Sequence, residues 1–248
     1  MTIISQSKKL VEKLTGLKIY RRLPFGVNQF QDIKYLVKNF HVETILDVGA
    51  NEGQTANQFI KFFPGARIFS IEPVFETFQK LKNNVKANNV SCHNLALGSA
   101  NGSLEIKTSF DNSNSTMNSL KTPNPVSEGK EFKTENVNVI TLDSFCKEQG
   151  ISEISYLKVD TEGFDLEVLK GGRSMLEQKK IGFIEVEAGM NPDNKYHVSF
   201  DELKTYLESF DYYLFGLYEQ FQEWIIKKPI LRRCNPLFIS KSLAYKFG

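Results

Sequence analysis

The chain has 248 residues, 31 Lys and Arg against 29 Asp and Glu, a formal net charge of +2 and a hydrophobic share of 41%. Such a chain fits one large α/β domain, and its nearly balanced charge argues against a dedicated nucleic-acid binder, which needs a clustered basic surface. Three scattered cysteines (Cys92, Cys146, Cys234) without C-x-x-C spacing argue against a disulfide framework or a zinc centre.

Residues 1–43 read as helical and amphipathic. Leu10, Val11, Leu14 and Leu17 recur at helical spacing with Lys8, Lys9, Lys13 and Lys18 between them. We expect an N-terminal helical extension that packs on the core, with weak peripheral contact to a membrane surface as the alternative. Met1 to Leu10 lacks the pattern of a leader, and no stretch reaches the roughly 20 apolar residues of a membrane span. The expectation is a cytoplasmic chain without a transmembrane segment.

From Thr44 onward, strand and helix alternate. Thr44–Val48 is a short apolar strand ending at Gly49, and 52–63 is a helix stopped by Pro64-Gly65. Residues 66–71 form a second strand ending at Glu72-Pro73, 75–88 a second helix, and 90–95 a third strand. Residues 101–107 and 136–140 read as hairpin strands, with the polar stretch 109–133 between them as a lid-like insertion. After a helix at 141–149 the alternation resumes: a strand at 154–159 running into Asp160-Thr161-Glu162-Gly163, a helix from Phe164, a strand at 181–186, a helix at 200–210, and strands at 212–217 and 237–240. This order predicts one α/β domain over 44–248 with helices on both faces of a parallel sheet.

The first turn carries the chemistry. A strand followed by a Gly-rich turn and a helix lets backbone N–H groups approach a nucleotide-like ligand. Here the turn is Gly49-Ala50-Asn51-Glu52-Gly53, with Asn51 where a dinucleotide fold places its second glycine. Asp47 precedes the turn and Glu52 lies inside it. Negative charge at that point opposes a pyrophosphate and suits a ligand with a cationic tail. Glu72, about 20 residues on at the end of the second strand, stands where an acid accepts hydrogen bonds from ribose hydroxyls.

Read with the later motifs, the chain resembles the FkbM family of S-adenosylmethionine-dependent methyltransferases. The resemblance rests on D-V-G-A-N-E-G-Q-T (47–55), I-E-P (71–73), N-L-A-L-G (94–98), T-L-D-S-F (141–145), L-K-V-D-T-E-G-F-D-L-E-V-L-K-G-G (157–172) and I-E-V-E (184–187), in that order. It implies a Rossmann-like class I fold: a mostly parallel seven-stranded sheet with an antiparallel last strand. It also implies S-adenosyl-L-methionine as cofactor and S-adenosyl-L-homocysteine as product. Asp47, Gly49, Asn51, Gly53 and Thr55 would hold the methionine end, Glu72 and Pro73 the ribose, Asn94 and Ala96 the adenine, and Asp160 the region of the transferred methyl group.

The family's members imply O-methylation of a hydroxyl on a sugar, glycan or natural product. A sugar hydroxyl is a poor acid, so a base is expected nearby, with Asp160, Glu162 and Glu185 as candidates. Ser115 and Asn118 in the polar insertion, and His197 in the loop after the 181–186 strand, are candidates for binding the acceptor. No metal is expected. A magnesium-assisted version through Asp160, Glu185 and Glu187 is the alternative, without a spacing signature behind it. The rival readings are a nicotinamide-dependent oxidoreductase, opposed by the acids around the turn, and a non-catalytic binding protein, opposed by the intact 160–163 block.

Overall fold

The protein is described from a computed structural model covering residues 11–20, 22–109 and 132–246. Residues 11–15 are helical (α1), followed by α2 (Gln29–Leu36), β1 (Thr44–Val48), α3 (Gln54–Phe62), β2 (Arg67–Ile71), α4 (Phe75–Asn84) and β3 (Val90–His93). Then come β4 (Ala96–Leu97), β5 (Gly102–Ser109), β6 (Phe132–Ile140), α5 (Leu142–Glu148), β7 (Ile154–Val159), α6 (Asp165–Gly171) and α7 (Arg173–Glu177). The chain continues through β8 (Ile181–Val186), β9 (Ala188–Gly189), α8 (Phe200–Glu208), β10 (Tyr212–Gln222), β11 (Leu231–Ser240) and α9 (Lys241–Lys246).

The main sheet has the order β10-β11-β8-β7-β1-β2-β3, with β9 paired to β11. Strands β1, β2, β3, β7 and β8 are mutually parallel, and β11 runs antiparallel to both neighbours. This is the mostly parallel sheet with an antiparallel last strand that the sequence predicts. All five residues of β1 are buried, as a central parallel strand covered on both faces requires. Successive residues feed opposite cores. Leu46, Leu157 and Ile184 join the core under α5 to α8, while Ile45, Tyr156 and Phe183 join the one under α2 and α3. Strands β4, β6 and β5 form a separate three-stranded sheet beside the first.

Two regions differ from the sequence reading. The N-terminal stretch is not one helix. Gly16 takes a left-handed φ of 70° after α1, and the core contacts come from Phe30 and Ile33 of α2. Leu14 and Leu17 of the amphipathic stripe remain 76% and 68% exposed. The last two strands are also longer than 212–217 and 237–240. Polar residues at Glu219, Gln220, Arg232 and Arg233 break their apolar run, and Pro236 reads as a strand breaker although it sits inside β11.

Register aligns the carboxyl ends of the parallel strands. Val48 pairs with both Ile71 and Val159, and Val159 pairs with Val186. The turns that leave these four residues therefore share one edge, where open α/β sheets bind ligands.

Candidate active site

A cavity of about 350 Å³ lies on that edge. It is lined by the turn after β1 (Gly49, Asn51) and Thr55 in the first turn of α3, by Glu72 and Pro73 after β2, by Asp160 and Glu162 after β7, and by Glu187 after β8. Its size is within the usual range for small-molecule sites.

The glycine turn is held shut by the backbone. The amides of Gly49 and Ala50 both donate to the Ile71 carbonyl at 2.9 Å, and the Asp160 amide donates to the Val48 carbonyl at 2.9 Å. Gly49 has φ 81°, and a Cβ there would lie 1.8 Å from the Asp160 carbonyl oxygen. Gly53, φ 93°, is the residue before α3, and no side chain caps that helix. The first amides of α3 thus remain available to a ligand.

Glu72 ties two loops together. Its Oε2 accepts from the Asn51 amide at 3.1 Å and its Oε1 from the Val74 amide at 2.9 Å. Burial pushes its carboxyl up to about 7 against the pull of those two amides. Asp47 is fully buried in β1, with no hydrogen-bond partner for either carboxylate oxygen among the described residues. Burial raises it to about 6, opposed by the charge of Lys158. Asn51 Oδ1 is also buried without a partner. Asn51 lines the cavity and Asp47 does not, so the orphan acceptor of Asn51, backed by the buried Asp47, fits a group that brings donors and positive charge.

Asn94 and Ala96 sit further off. The Asn94 amide donates to the Glu72 carbonyl at 3.0 Å and to that of Pro73 at 2.8 Å, so it braces the turn after β2. Ala96 is buried in β4 opposite Val139. Neither lines the cavity.

The second block holds opposing charges. Lys158 is buried and donates to Asp160 at 2.8 Å, and it is raised because the charges of Asp160, Asp47 and Glu185 outweigh its burial. Burial raises Asp160, but Lys158 more than cancels this and holds it below the usual carboxylate range. Glu162, on a left-handed backbone of φ 51°, is pushed up to about 9 by burial, then by the charges of Glu187 and Asp160. Asp165 is raised to about 7, chiefly by burial; its Oδ2 accepts from Thr161 at 3.0 Å and its Oδ1 from the Glu187 amide at 3.2 Å. Glu187 meets Arg233 Nη1 at 2.5 Å and His197 Nε2 at 2.9 Å, with Glu162 4.0 Å from that same nitrogen.

Glu185 stands apart from this cluster. It is 1% exposed, accepts from the Tyr156 hydroxyl, from Asn235 at 3.3 Å and from Gln29 at 3.4 Å, and does not line the cavity. It joins β7, β8, β11 and α2, and burial raises its carboxyl. Ser115 and Asn118 lie outside the described residues. The sequence reading gave no role to Lys158 or Glu219, which both line the cavity, as does Arg233. Lys158 had a usable signal: at i and i+2 in an extended segment it shares a face with Asp160.

Residues 47–214 match the methyltransferase FkbM domain. The chain belongs to the FkbM methyltransferase family. Among curated relatives, 2-O-methyltransferase NoeI of Sinorhizobium fredii is 25% identical over 150 residues, covering 57% of this chain and 62% of that protein. Hexuronic acid methyltransferase AglP of Haloferax volcanii is 29% identical over 166 residues, covering 64% and 63%. Methyltransferase sdnD of Sordaria araneosa is 30% identical over 189 residues, covering 65% and 70%. The matched part thus spans under two thirds of the length of NoeI and of AglP.

Proposed function

We propose that the chain transfers a methyl group from S-adenosyl-L-methionine to a hydroxyl of a sugar or glycan, releasing S-adenosyl-L-homocysteine. The observation that carries this reading is that one cavity is lined by both Gly49–Asn51 with Glu72 and Asp160 with Glu162. A ligand seated there touches the cofactor-type turn and an acid-rich wall at once. The printed activities of NoeI and AglP, a 2-O-methyltransferase and a hexuronic acid methyltransferase, favour an oxygen on a sugar as the acceptor.

The cofactor supplies a methyl group on a sulfonium, which is already a good leaving group. What remains for the protein is to bind, orient and deprotonate. Glu72 has the chemistry to accept from two ribose hydroxyls, and the free amides at the start of α3 suit the carboxylate of the amino-acid tail. Asn51, which lines the cavity, offers an unpartnered acceptor for the tail's ammonium, with the buried carboxylate of Asp47 behind the turn. Asp160, kept ionised by Lys158, favours positive charge near the reacting sulfur. The hydroxyl that must lose its proton would sit against the wall formed by Glu162 and Glu187, with His197 behind it, since Glu185 is engaged elsewhere.

The test has two arms. Thermal unfolding with S-adenosylmethionine, S-adenosylhomocysteine or NAD should show stabilisation by the first two alone. Transfer of labelled methyl to a panel of free sugars, nucleotide sugars and glycans should then identify the acceptor class. Stabilisation by NAD alone refutes the cofactor assignment. Methyl incorporation only into nitrogen or carbon acceptors refutes the hydroxyl.

A further inference from the structure

We infer that Glu162, Glu187 and His197 form a divalent-cation site at the cavity, which the two carboxylates line and the imidazole backs, placed to receive the acceptor hydroxyl. Its role in catalysis rests on the methyl-transfer reading; its binding of a cation does not.

The three side chains come from separate segments: the turn after β7, the end of β8, and the loop before α8. One donor atom from each lies within 4.8 Å of the other two. His197 Nε2 is 2.9 Å from Glu187 Oε2 and 4.0 Å from Glu162 Oε2. An octahedral ion with bonds of about 2.1 Å sets neighbouring donors about 3.0 Å apart and opposite donors about 4.2 Å apart. The observed pair of distances is close to both.

A second observation concerns Glu187 alone. Its side chain is 5% exposed, and its Oε2 has no hydrogen-bond partner among the described residues although the imidazole nitrogen is 2.9 Å away. The two atoms are near but not aligned for N–H donation. That is the relation of two donors sharing an ion. The other carboxylate oxygen, Oε1, is occupied by Arg233, which leaves Oε2 as the donor facing the histidine.

Outer contacts hold these groups as metal ligands are usually held. His197 Nδ1 lies 3.1 Å from Asn194 Oδ1 and 2.9 Å from its Nδ2. Asn194 is itself fixed, accepting from the Tyr196 and His197 amides and donating to the Arg232 carbonyl at 3.0 Å. Asp165 accepts from the Glu187 amide. The turn and the histidine loop are locked together at Gly163, where a Cβ would lie 2.0 Å from the Tyr196 carbonyl oxygen.

One imidazole and two carboxylates suit Mn²⁺, Fe²⁺ or Zn²⁺ better than Ca²⁺, which prefers oxygen alone. A sugar hydroxyl bound to such an ion becomes more acidic. Its proton passes to solvent water, the O–CH3 bond forms as the S–CH3 bond breaks, and a neutral thioether leaves. No electron donor or acceptor is required.

The test is Mn²⁺ binding to the full chelator-treated chain, followed by electron paramagnetic resonance. We expect one saturable Mn²⁺ per chain, displaced by Zn²⁺. His197→Ala, Glu187→Gln and Glu162→Gln should each weaken it by more than about tenfold, the low end of what even an outer-contact change costs. Asp193→Asn, an exposed acid in the same loop, should leave it unchanged. Circular dichroism checks each fold; should His197→Ala not fold, Glu162→Gln, a third exposed, decides. No saturable binding of Mn²⁺, Mg²⁺ or Zn²⁺ at millimolar concentration, or binding indifferent to all three variants, overturns the site. Cation binding without S-adenosylhomocysteine binding would instead refute the methyltransferase reading and leave the cation site standing.

Discussion

Assigning Glu72 to the cofactor's ribose predicts a pH-dependent affinity, and the size of the effect follows from its surroundings. Burial raises it to about 7 in the ligand-free protein. Ribose hydroxyls donate most strongly to an ionised carboxylate, so binding selects the deprotonated form. About a tenth of Glu72 is ionised at pH 6 and about nine tenths at pH 8, which makes the apparent affinity roughly tenfold tighter at the higher pH. Asp47, raised to about 6, is half ionised at pH 6 and nearly fully ionised at pH 8, adding about a factor of two. Isothermal titration of S-adenosylhomocysteine at pH 6, 7 and 8 should therefore show about a twentyfold gain across the range. Glu72→Gln should weaken binding at pH 8 by about tenfold or more, the worth of a charged hydrogen bond, and leave only a twofold pH effect. A wild-type affinity that is flat between pH 6 and 8, or a Glu72→Gln slope equal to the wild type's, refutes the assignment of Glu72 to the ribose.

Gly49→Ala forces a Cβ against the Asp160 carbonyl on a left-handed backbone, so we expect a loss of at least about 2 kcal/mol, read as a drop of roughly 5 °C or more in Tm, with S-adenosylhomocysteine binding abolished. Glu162→Gln should raise the Tm of the chelator-treated, ligand-free protein at pH 8 by at least about 2 °C. The sign follows because the folded carboxyl titrates near 9, above its unfolded value of 4.5, so stability falls as pH rises between them. Glu185→Gln should leave S-adenosylhomocysteine affinity within about twofold while lowering Tm by several degrees, since it disturbs buried bonds to Tyr156 and Asn235 remote from the cavity; a loss of turnover without a loss of Tm would return Glu185 to the reaction.

The alternation of apolar runs with helical periodicity was enough to read β7 and β8 at their observed bounds, because strands buried on both faces are continuous in hydrophobicity. The hairpin β10–β11 was only half legible. It is the edge of the sheet, so part of each strand faces solvent and alternates with charge. The placement of Gly49 and Glu72 at one sheet edge was legible because it depends on local chain geometry at fixed spacing. The cluster of Glu162, Glu187 and His197 was not, since its members converge only when the ends of β7 and β8 and the loop before α8 meet in space. The pairing of Arg233 with Glu187 was not legible for the same reason: a charge inside a strand says nothing of a cross-strand partner until register is known.

Register also explains why so many acids gather here. Asp47, Glu72, Asp160, Glu162 and Glu187 lie at or just past the carboxyl ends of β1, β2, β7 and β8, and Asp165 opens α6 beside them, whereas among the described residues the lysine and arginine lining that edge are Lys158 and Arg233, each paired with one carboxylate. An excess of buried negative charge is costly, and the raised carboxyls of Asp47, Glu72, Glu162 and Asp165 are its sign. A core built for stability alone would replace some of these acids with apolar groups. Keeping them makes physical sense if the working complex delivers positive charge to the same place, first through the cofactor's ammonium and sulfonium and then through a cation between Glu187 and His197. Each arrival lets a carboxylate ionise, so ligand binding and proton release are coupled, and the edge that weakens the empty fold is the one that tightens around its ligands.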